Sequence, residues 1–250
     1  MCVIGSLLLA GLAWRTPKLR LVWFVTGLAG IVVALWFGPM LYHRTSGLMM
    51  TVSVPMIIGP LFQFPMTRFL RLGIIIAGTL TMGFSGWMEF LAPAIARAEL
   101  GGLQTKMSPL GVCIQTTEYT RGPAAAVTVL RRHGFHAEEG EIAIRAKASF
   151  HTGVDAPLLA SAVQGQFGTA GVTAESAREQ TMEQLQQEGE CLAVVPFDGN
   201  TDHWVAVIEV SNDKVVMADP LNGMRTMSRA DFEKTWRHEI VRIHFPPTAR

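Results

Sequence analysis

A long apolar segment near the N-terminus constrains the fold of this chain more than any other feature. Residues 21–42 form a run of 22 residues that contains no Asp, Glu, Lys or Arg. An α-helix rises about 1.5 Å per residue, so a helix of this length covers a bilayer hydrocarbon core of roughly 30 Å. We therefore expect a membrane-spanning helix over residues 21–42, which excludes a purely soluble fold.

Three other segments of the first hundred residues are also apolar. Residues 72–91 carry their one acid, Glu89, near an end, and we expect a second span there. Residues 47–66 are uncharged but contain three prolines, which leaves two alternatives: a kinked span, which we favour, or a re-entrant pair of half-helices. Residues 2–14 lack the basic start and cleavage site of a secretory signal, so we predict a retained, short or tilted helix.

The distribution of basic residues predicts the orientation of these helices. Residues 1–100 contain seven Lys or Arg and two Glu, whereas the remainder contains 14 basic and 18 acidic residues. With four spans, the basic residues concentrate in the first and third loops, which the positive-inside rule places in the cytoplasm. The sequence thus predicts a protein of the inner or plasma membrane whose C-terminal domain lies outside the cytoplasm. A re-entrant segment at residues 47–66 reverses this orientation.

The whole-chain composition excludes other classes of protein. The chain is 49% hydrophobic and 16% charged, with a mean hydropathy of +0.29, which is unlike a disordered protein. A net charge of +1 offers no basic surface for nucleic acid, and three cysteines are too few for a disulfide-rich scaffold.

The second half has the pattern of a mixed domain. We interpret residues 97–108, with their Gly-Gly pair, as a linker, and residues 109–250 as a folded domain. Helical periodicity comes first and β-branched runs follow, which is typical of an α+β fold. Predicted helices cover residues 124–133, 140–148, 157–167, 181–187 and 228 to about 238; predicted strands cover residues 191–197, 203–210, 214–218 and 239–245.

Several short motifs stand in a characteristic order in this domain: Gln115, a Gly-Pro-Ala helix start at Gly122, His203 at a strand start and Asp219-Pro220 after the next strand. Together they resemble the papain-like, double-glycine-leader peptidase family, the bacteriocin-processing cysteine peptidases. The resemblance covers about residues 111–245 and implies a papain-like domain. It also implies that Gln115 is an oxyanion-hole donor, His203 a base and Asp219 the residue that orients the base.

The nucleophile of that family is missing at its expected position. The family has Cys directly before Gly-Pro, and this sequence has Arg121. A guanidinium stays protonated and cannot form a thioester. Because this cation stands at a helix start, we expect an ion pair with Glu118 or Asp219.

The remaining thiols do not offer a replacement by sequence. Cys113 precedes Gln115 on an extended segment, where no helix dipole lowers its pKa, and Cys191 opens a strand. A disulfide between Cys113 and Cys191 and a pair of unpaired buried thiols are both compatible with the sequence.

These observations favour a membrane-anchored, non-catalytic relative of a peptidase that acts as a binding or scaffolding subunit of a membrane assembly. Its expected partners are the lipid bilayer, other membrane protein subunits and a peptide in the substrate groove that the family resemblance implies. Two alternatives are an active cysteine peptidase that processes leader peptides, and a peptide carrier or sensor. No phosphate loop for ATP and no metal-ligand spacing occurs, so we expect no cofactor and no metal; the acidic run at residues 138–141 is interpreted as dipole complementation of a helix start.

Overall fold

The computed structural model describes residues 73, 76, 91–150, 152–179, 181–198 and 201–247. The chain divides into two compact units, residues 1–90 and 91–250, and the description below concerns the second. Apart from residues 73, 76 and 91, the four predicted spans lie outside the described residues. In the part of the chain that is described, no helix has the length and apolarity needed to cross a bilayer.

The second unit begins with a helix. Residues 91–101 are helical (α1), and Ala96 and Leu100 lie in the main hydrophobic core. The carbonyl oxygen of Leu100 lies so close to Gly140 that a Cβ atom at residue 140 would be 2.2 Å from it. Within the range 97–108, for which we predicted a linker, residues 97–101 therefore continue α1 and pack against the domain.

The described strands pair into two antiparallel sheets. A short ribbon joins β1 (Lys106–Met107) and β2 (Cys113–Ile114). The main sheet has six strands in the order β3-β8-β4-β5-β6-β7, with every neighbouring pair antiparallel. Its strands are β3 (Thr173–Arg178), β4 (Cys191–Asp198), β5 (Thr201–Val210), β6 (Lys214–Asp219), β7 (Gly223–Ser228) and β8 (Glu239–His244).

Helices cover both faces of this sheet. The helices are α2 (Arg121–Arg132), α3 (Glu139–Arg145), α4 (Ala156–Phe167), α5 (Met182–Glu188) and α6 (Arg229–Thr235). One core contains the buried residues of α2, α3 and α4, and a second core on the other face contains Met182, Leu185 and Phe232 from α5 and α6. Helix α2 buries nine consecutive residues, from Gly122 to Leu130, so it is the central helix of the domain.

The α+β architecture agrees with the prediction from sequence. Helices α2 to α5 and strands β4, β5, β6 and β8 lie where the residue patterns predict them, within a few residues at each end. Helix α6 ends at Thr235 rather than near residue 238, because Trp236 is extended and packs its side chain in the second core. Strands β1, β2, β3 and β7 are not among the predicted strands.

Candidate functional site

A buried histidine and a buried carboxylate form the centre of the candidate site. His203 on β5 donates from Nε2 to Oδ1 of Asp219, at the end of the neighbouring strand β6, over 2.8 Å. Their side chains are 4% and 5% exposed. The adjacent strands therefore bring together two of the residues that the sequence singled out.

Asp219 also organises the turn that follows it. Its carboxylate accepts hydrogen bonds from the backbone N–H of Leu221 and from the Asn222 side chain, each 2.8 Å long. Burial by itself raises the pKa of Asp219, but the hydrogen bonds from His203, Asn222 and Leu221 outweigh it and hold the pKa well below its usual range. Asp219 is therefore ionised at neutral pH.

Arg121 is the first residue of α2 and lies beside this pair. Its Nη1 donates to the carbonyl oxygen of Asp202, the residue before His203, over 3.1 Å. Its guanidinium carbon lies 4.6 Å from the ring centroid of Phe197, and that ring centroid is 5.6 Å from the His203 ring centroid. Burial lowers the pKa of Arg121, and the nearby charge of Glu118 opposes this effect.

The expected ion pair of Arg121 is not present in the described part of the chain. No salt bridge joins the guanidinium to Glu118 or Asp219. The Asp219 oxygens are bound by His203, Leu221 and Asn222, and a different arginine, Arg225, forms a salt bridge of 3.6 Å with Asp219. A carbonyl oxygen and an aromatic face are available beside Arg121. The prediction that an acid pairs with Arg121 is therefore wrong, and a cation–π contact and a backbone carbonyl take its place.

Gln115 lies next to the same turn. Its backbone N–H donates to the carbonyl oxygen of Pro220 over 2.9 Å, and its Nε2 donates to the carbonyl oxygen of Thr117 over 3.1 Å. The other side-chain atom, Oε1, is buried and has no hydrogen-bond partner. The structure thus places Gln115, Arg121, His203 and Asp219 in one region.

A glycine allows the start of α2 to approach the sheet. A Cβ atom at residue 122 would lie 3.1 Å from Leu159 Cδ2 and 3.2 Å from Trp204 Cδ1. Trp204 directly follows His203 and is itself fixed by a hydrogen bond from Nε1 to the carbonyl oxygen of Val154. The absence of a side chain at Gly122 therefore lets Arg121 reach β5.

A buried acid that no sequence motif reveals also supports the site. Glu139, at the start of α3, is completely buried, and its carboxylate accepts hydrogen bonds from the Thr116 N–H over 2.8 Å and from the Thr116 hydroxyl over 2.7 Å. The sequence pattern predicts only that this acid complements the helix dipole. Its actual role is to hold the residue that follows Gln115, and no sequence signal connects the two.

The second half of the chain matches a known protein family. The model of the peptidase C39 family matches residues 110–247, which is more than half of the chain. The chain belongs to the peptidase C39 family. The resemblance drawn from Gln115, Gly122-Pro123, His203 and Asp219-Pro220 is confirmed at the level of the family; the individual roles that it implies for these residues stay predictions.

Two curated relatives of this C39 protein come from species of the genus Methanothermobacter. An uncharacterized protein of Methanothermobacter marburgensis is 31% identical over 127 residues, which are 51% of this chain and 83% of the relative. An uncharacterized protein of Methanothermobacter thermautotrophicus is 26% identical over 144 residues, which are 58% of this chain and 95% of the relative.

Solved structures with similarity to the C39 domain are more distant. They include a double glycine motif protease from the AMS/PCAT transporter in complex with the leader peptide, at 17% identity and a TM-score of 0.45, covering 56% of this chain and 91% of that one. The peptidase domain of Streptococcus ComA is 16% identical with a TM-score of 0.47, covering 53% and 96%. A C39-like peptidase from Bacillus anthracis is 13% identical with a TM-score of 0.46, covering 58% and 100%.

The two thiols of the C39 domain are buried and unpaired. Cys113 and Cys191 are both free, so the structure agrees with the second of the two alternatives left open by the sequence. Burial, followed by the charge of Glu139, raises the pKa of Cys113 to about 12. Burial also raises the pKa of Cys191, with a further contribution from Glu188. Neither thiol is ionised at neutral pH.

Proposed function

We propose that the C39 domain of this chain is a non-catalytic binding module and serves as a binding or scaffolding subunit of a membrane assembly. The observation that carries this proposal is the position of Arg121. It is the first residue of α2 and contacts the backbone next to His203, at the point where the family resemblance implies a cysteine nucleophile.

The chemistry of the position supports the loss of catalysis. A cysteine at a helix N-terminus beside an imidazole has a lowered pKa and attacks as the thiolate. Arginine cannot form the covalent intermediate, because its guanidinium stays protonated and is a poor nucleophile. Arg121 is in addition held by the Asp202 carbonyl and the Phe197 ring.

The other thiols in the described part of the domain do not replace the nucleophile. Cys113 is fully buried, and its backbone N–H is bound to the Thr128 hydroxyl on α2. Cys191 is fully buried between β5 and β8. Their raised pKa values leave almost no thiolate at neutral pH, so their reactivity is low.

A cleavage assay tests the proposed loss of catalysis. The purified 250-residue chain is incubated with peptides that contain an internal Gly-Gly, and products are followed by mass spectrometry. We expect no more cleavage than with a control in which His203→Ala and Asp219→Ala are combined. A cleavage rate that disappears in this control would identify the chain as an active peptidase instead.

The proposed membrane anchor and its orientation are inferred from the sequence. Residues 2–14, 21–42, 47–66 and 72–91 are proposed to anchor the protein, with the C39 domain outside the cytoplasm of an inner or plasma membrane, because basic residues concentrate in the first and third loops. Alkaline phosphatase fused after Arg250 is expected to be active, since that enzyme folds only outside the cytoplasm. An inactive phosphatase together with an active cytoplasmic reporter at the same position contradicts this orientation.

A further inference from the structure

Unsatisfied polar atoms are concentrated in the candidate site. Six buried side-chain N or O atoms of the described residues lack a hydrogen-bond partner, and three of them are Gln115 Oε1, Arg121 Nε and His203 Nδ1. Buried polar groups are normally paired, because removing a donor or acceptor from water without a partner is unfavourable. Three such atoms in one region therefore indicate a place for a polar ligand.

The histidine is the most deeply buried of the three groups. The His203 side chain is 4% exposed, and its Nε2 is bound to Asp219, so Nδ1 lies on the part of the ring that is turned away from this carboxylate. Arg121 contacts the carbonyl of the residue before His203 and lies over the Phe197 ring, which also packs against His203. His203 and Arg121 therefore share Phe197 as a neighbour, so the histidine belongs to the same site as the start of α2.

The electrostatics of this site favour an anion. Arg121 carries a positive charge at the first position of α2, where the helix macrodipole adds a partial positive charge. The first turn of α2 contains no acidic residue, and Thr120 makes no side-chain capping hydrogen bond. Since no acid forms an ion pair with Arg121 among the described residues, the guanidinium still has a donor, Nε, for an incoming acceptor.

The hydrogen-bond partners that the three atoms need indicate the class of ligand. Arg121 Nε needs an acceptor, whereas His203 Nδ1, the ring nitrogen that is not bound to Asp219, needs a donor when the imidazole is neutral. Gln115 Nε2 is already bound to the Thr117 carbonyl, which leaves Oε1 as an acceptor that needs a donor. The last residue of a peptide supplies both: a carboxylate with two acceptor oxygens, and its own backbone N–H.

We infer that Gln115, Arg121 and His203, at the N-terminus of α2, form a binding site for the free C-terminal carboxylate of a peptide. The guanidinium and the helix end bind the carboxylate, and His203 Nδ1 and Gln115 Oε1 are the acceptors for the terminal N–H. The inference rests on the proposed non-catalytic function, because it makes Arg121 a ligand-binding residue in place of a nucleophile.

The test compares two peptides that differ only in the terminal charge. Acetyl-pentaalanine with a free carboxylate and its C-terminal amide are titrated, by isothermal calorimetry at pH 7, into the 250-residue chain purified in detergent. We expect the free acid to bind at least about tenfold more tightly than the amide, since a charge-assisted hydrogen bond at a partly buried site is worth that factor or more. Equal affinity of acid and amide, or no binding of the acid, overturns the inference.

Substitutions of Arg121 test whether this residue causes the preference for the free acid. Arg121→Met is expected to reduce the affinity for the acid to that for the amide, while Arg121→Lys, which keeps a charge without the guanidinium, is expected to retain an intermediate preference. Arg145→Met, at the far end of α3, removes the same charge from an exposed position and serves as the matched control with unchanged affinity. An unchanged preference for the acid in a folded Arg121→Met protein overturns the assignment of Arg121. If this variant does not fold, the comparison of acid and amide on the unmodified chain still tests the inference.

Two further experiments distinguish this inference from the binding of small carboxylates and from peptidase activity. Sodium acetate is titrated alone; if it binds as tightly as the peptide acid, the site takes small carboxylates and the peptide assignment is overturned. A blocked peptide with an internal Gly-Gly is incubated with the same protein, and cleavage contradicts the proposed function independently of the acid preference. Failure of either hypothesis can thus be recognised separately.

Discussion

The backbone N–H of Gln115 donates a hydrogen bond of 2.9 Å to the carbonyl oxygen of Pro220. This bond joins the segment that leads into α2 to the turn that follows Asp219. Because the Asp219 carboxylate also binds His203 and the backbone of that turn, movement of one segment displaces the others. The candidate site is therefore a single structural unit made of distant parts of the chain.

Arg121→Cys is expected to give a reactive thiol. The introduced side chain stands at the first position of α2 beside His203, where the helix dipole and the imidazole lower the pKa of a thiol. At about pH 6, iodoacetamide should label this position faster than Cys113, whose pKa is about 12. Peptide mapping by mass spectrometry measures the two rates.

The same experiment has an internal reference. Cys113 and Cys191 are buried in the same protein, so labelling of either one reports general unfolding. Equal labelling of residue 121 and Cys113 would mean that this region no longer has active-site geometry and that the chain retains only the fold of its family.

Asp219→Asn is expected to lower the free energy of unfolding by about 2 kcal/mol at pH 7, because the charge that His203, Leu221 and Asn222 stabilise is removed. The pKa of Asp219 is lower in the folded protein than its ordinary value of 3.8. Its contribution is therefore present above about pH 4 and is lost as the pH falls below that value.

Urea denaturation of both proteins between pH 3 and 7 checks this dependence. The difference between wild type and Asp219→Asn should shrink as the solution becomes more acidic. Asp213→Asn, at an exposed position after β5, should show no comparable trend. A constant difference across this range contradicts the role assigned to the ionised carboxylate.

The pair Glu139 and Thr116 should show a strong energetic coupling. Both oxygens of the buried Glu139 carboxylate are bound to Thr116, one to the N–H and one to the hydroxyl. In a double-mutant cycle with Glu139→Gln and Thr116→Val, measured by chemical denaturation, we expect a coupling free energy of about 1–3 kcal/mol. Additive effects would show that the hydroxyl bond contributes little to stability.

Gly140→Ala is expected to destabilise the domain by about 2 kcal/mol. The new Cβ atom would lie 2.2 Å from the Leu100 carbonyl oxygen, a backbone atom, so α1 or α3 must shift. Gly165→Ala is the matched control: residue 165 is an exposed position inside α4 with no atom within 4 Å of the new Cβ. That change should stabilise by roughly 0.5–1 kcal/mol, because alanine favours the helix.

The sequence predicted the elements that have a strong local pattern. The Gly-Pro pair at residues 122–123 marked the start of α2, and β-branched runs marked the buried strands β4, β5 and β6. Strands β3 and β7 were missed because they are the two edges of the main sheet. Their side chains are mostly exposed, with no fully buried residue in either strand, so they lack the apolar alternation that identifies a strand.

By itself, the sequence determined the family, the α+β class of the second half and the identity of the residues gathered at the site, because these depend on motif order and local periodicity. Only the tertiary structure decided what those residues contact. Arg121 meets a carbonyl and an aromatic ring rather than an acid, and Glu139 binds Thr116. Such contacts join positions far apart in the chain, and they depend on how α2 packs against β5 and how α3 lies beside the segment that follows β2. A local sequence pattern contains no information about these distances.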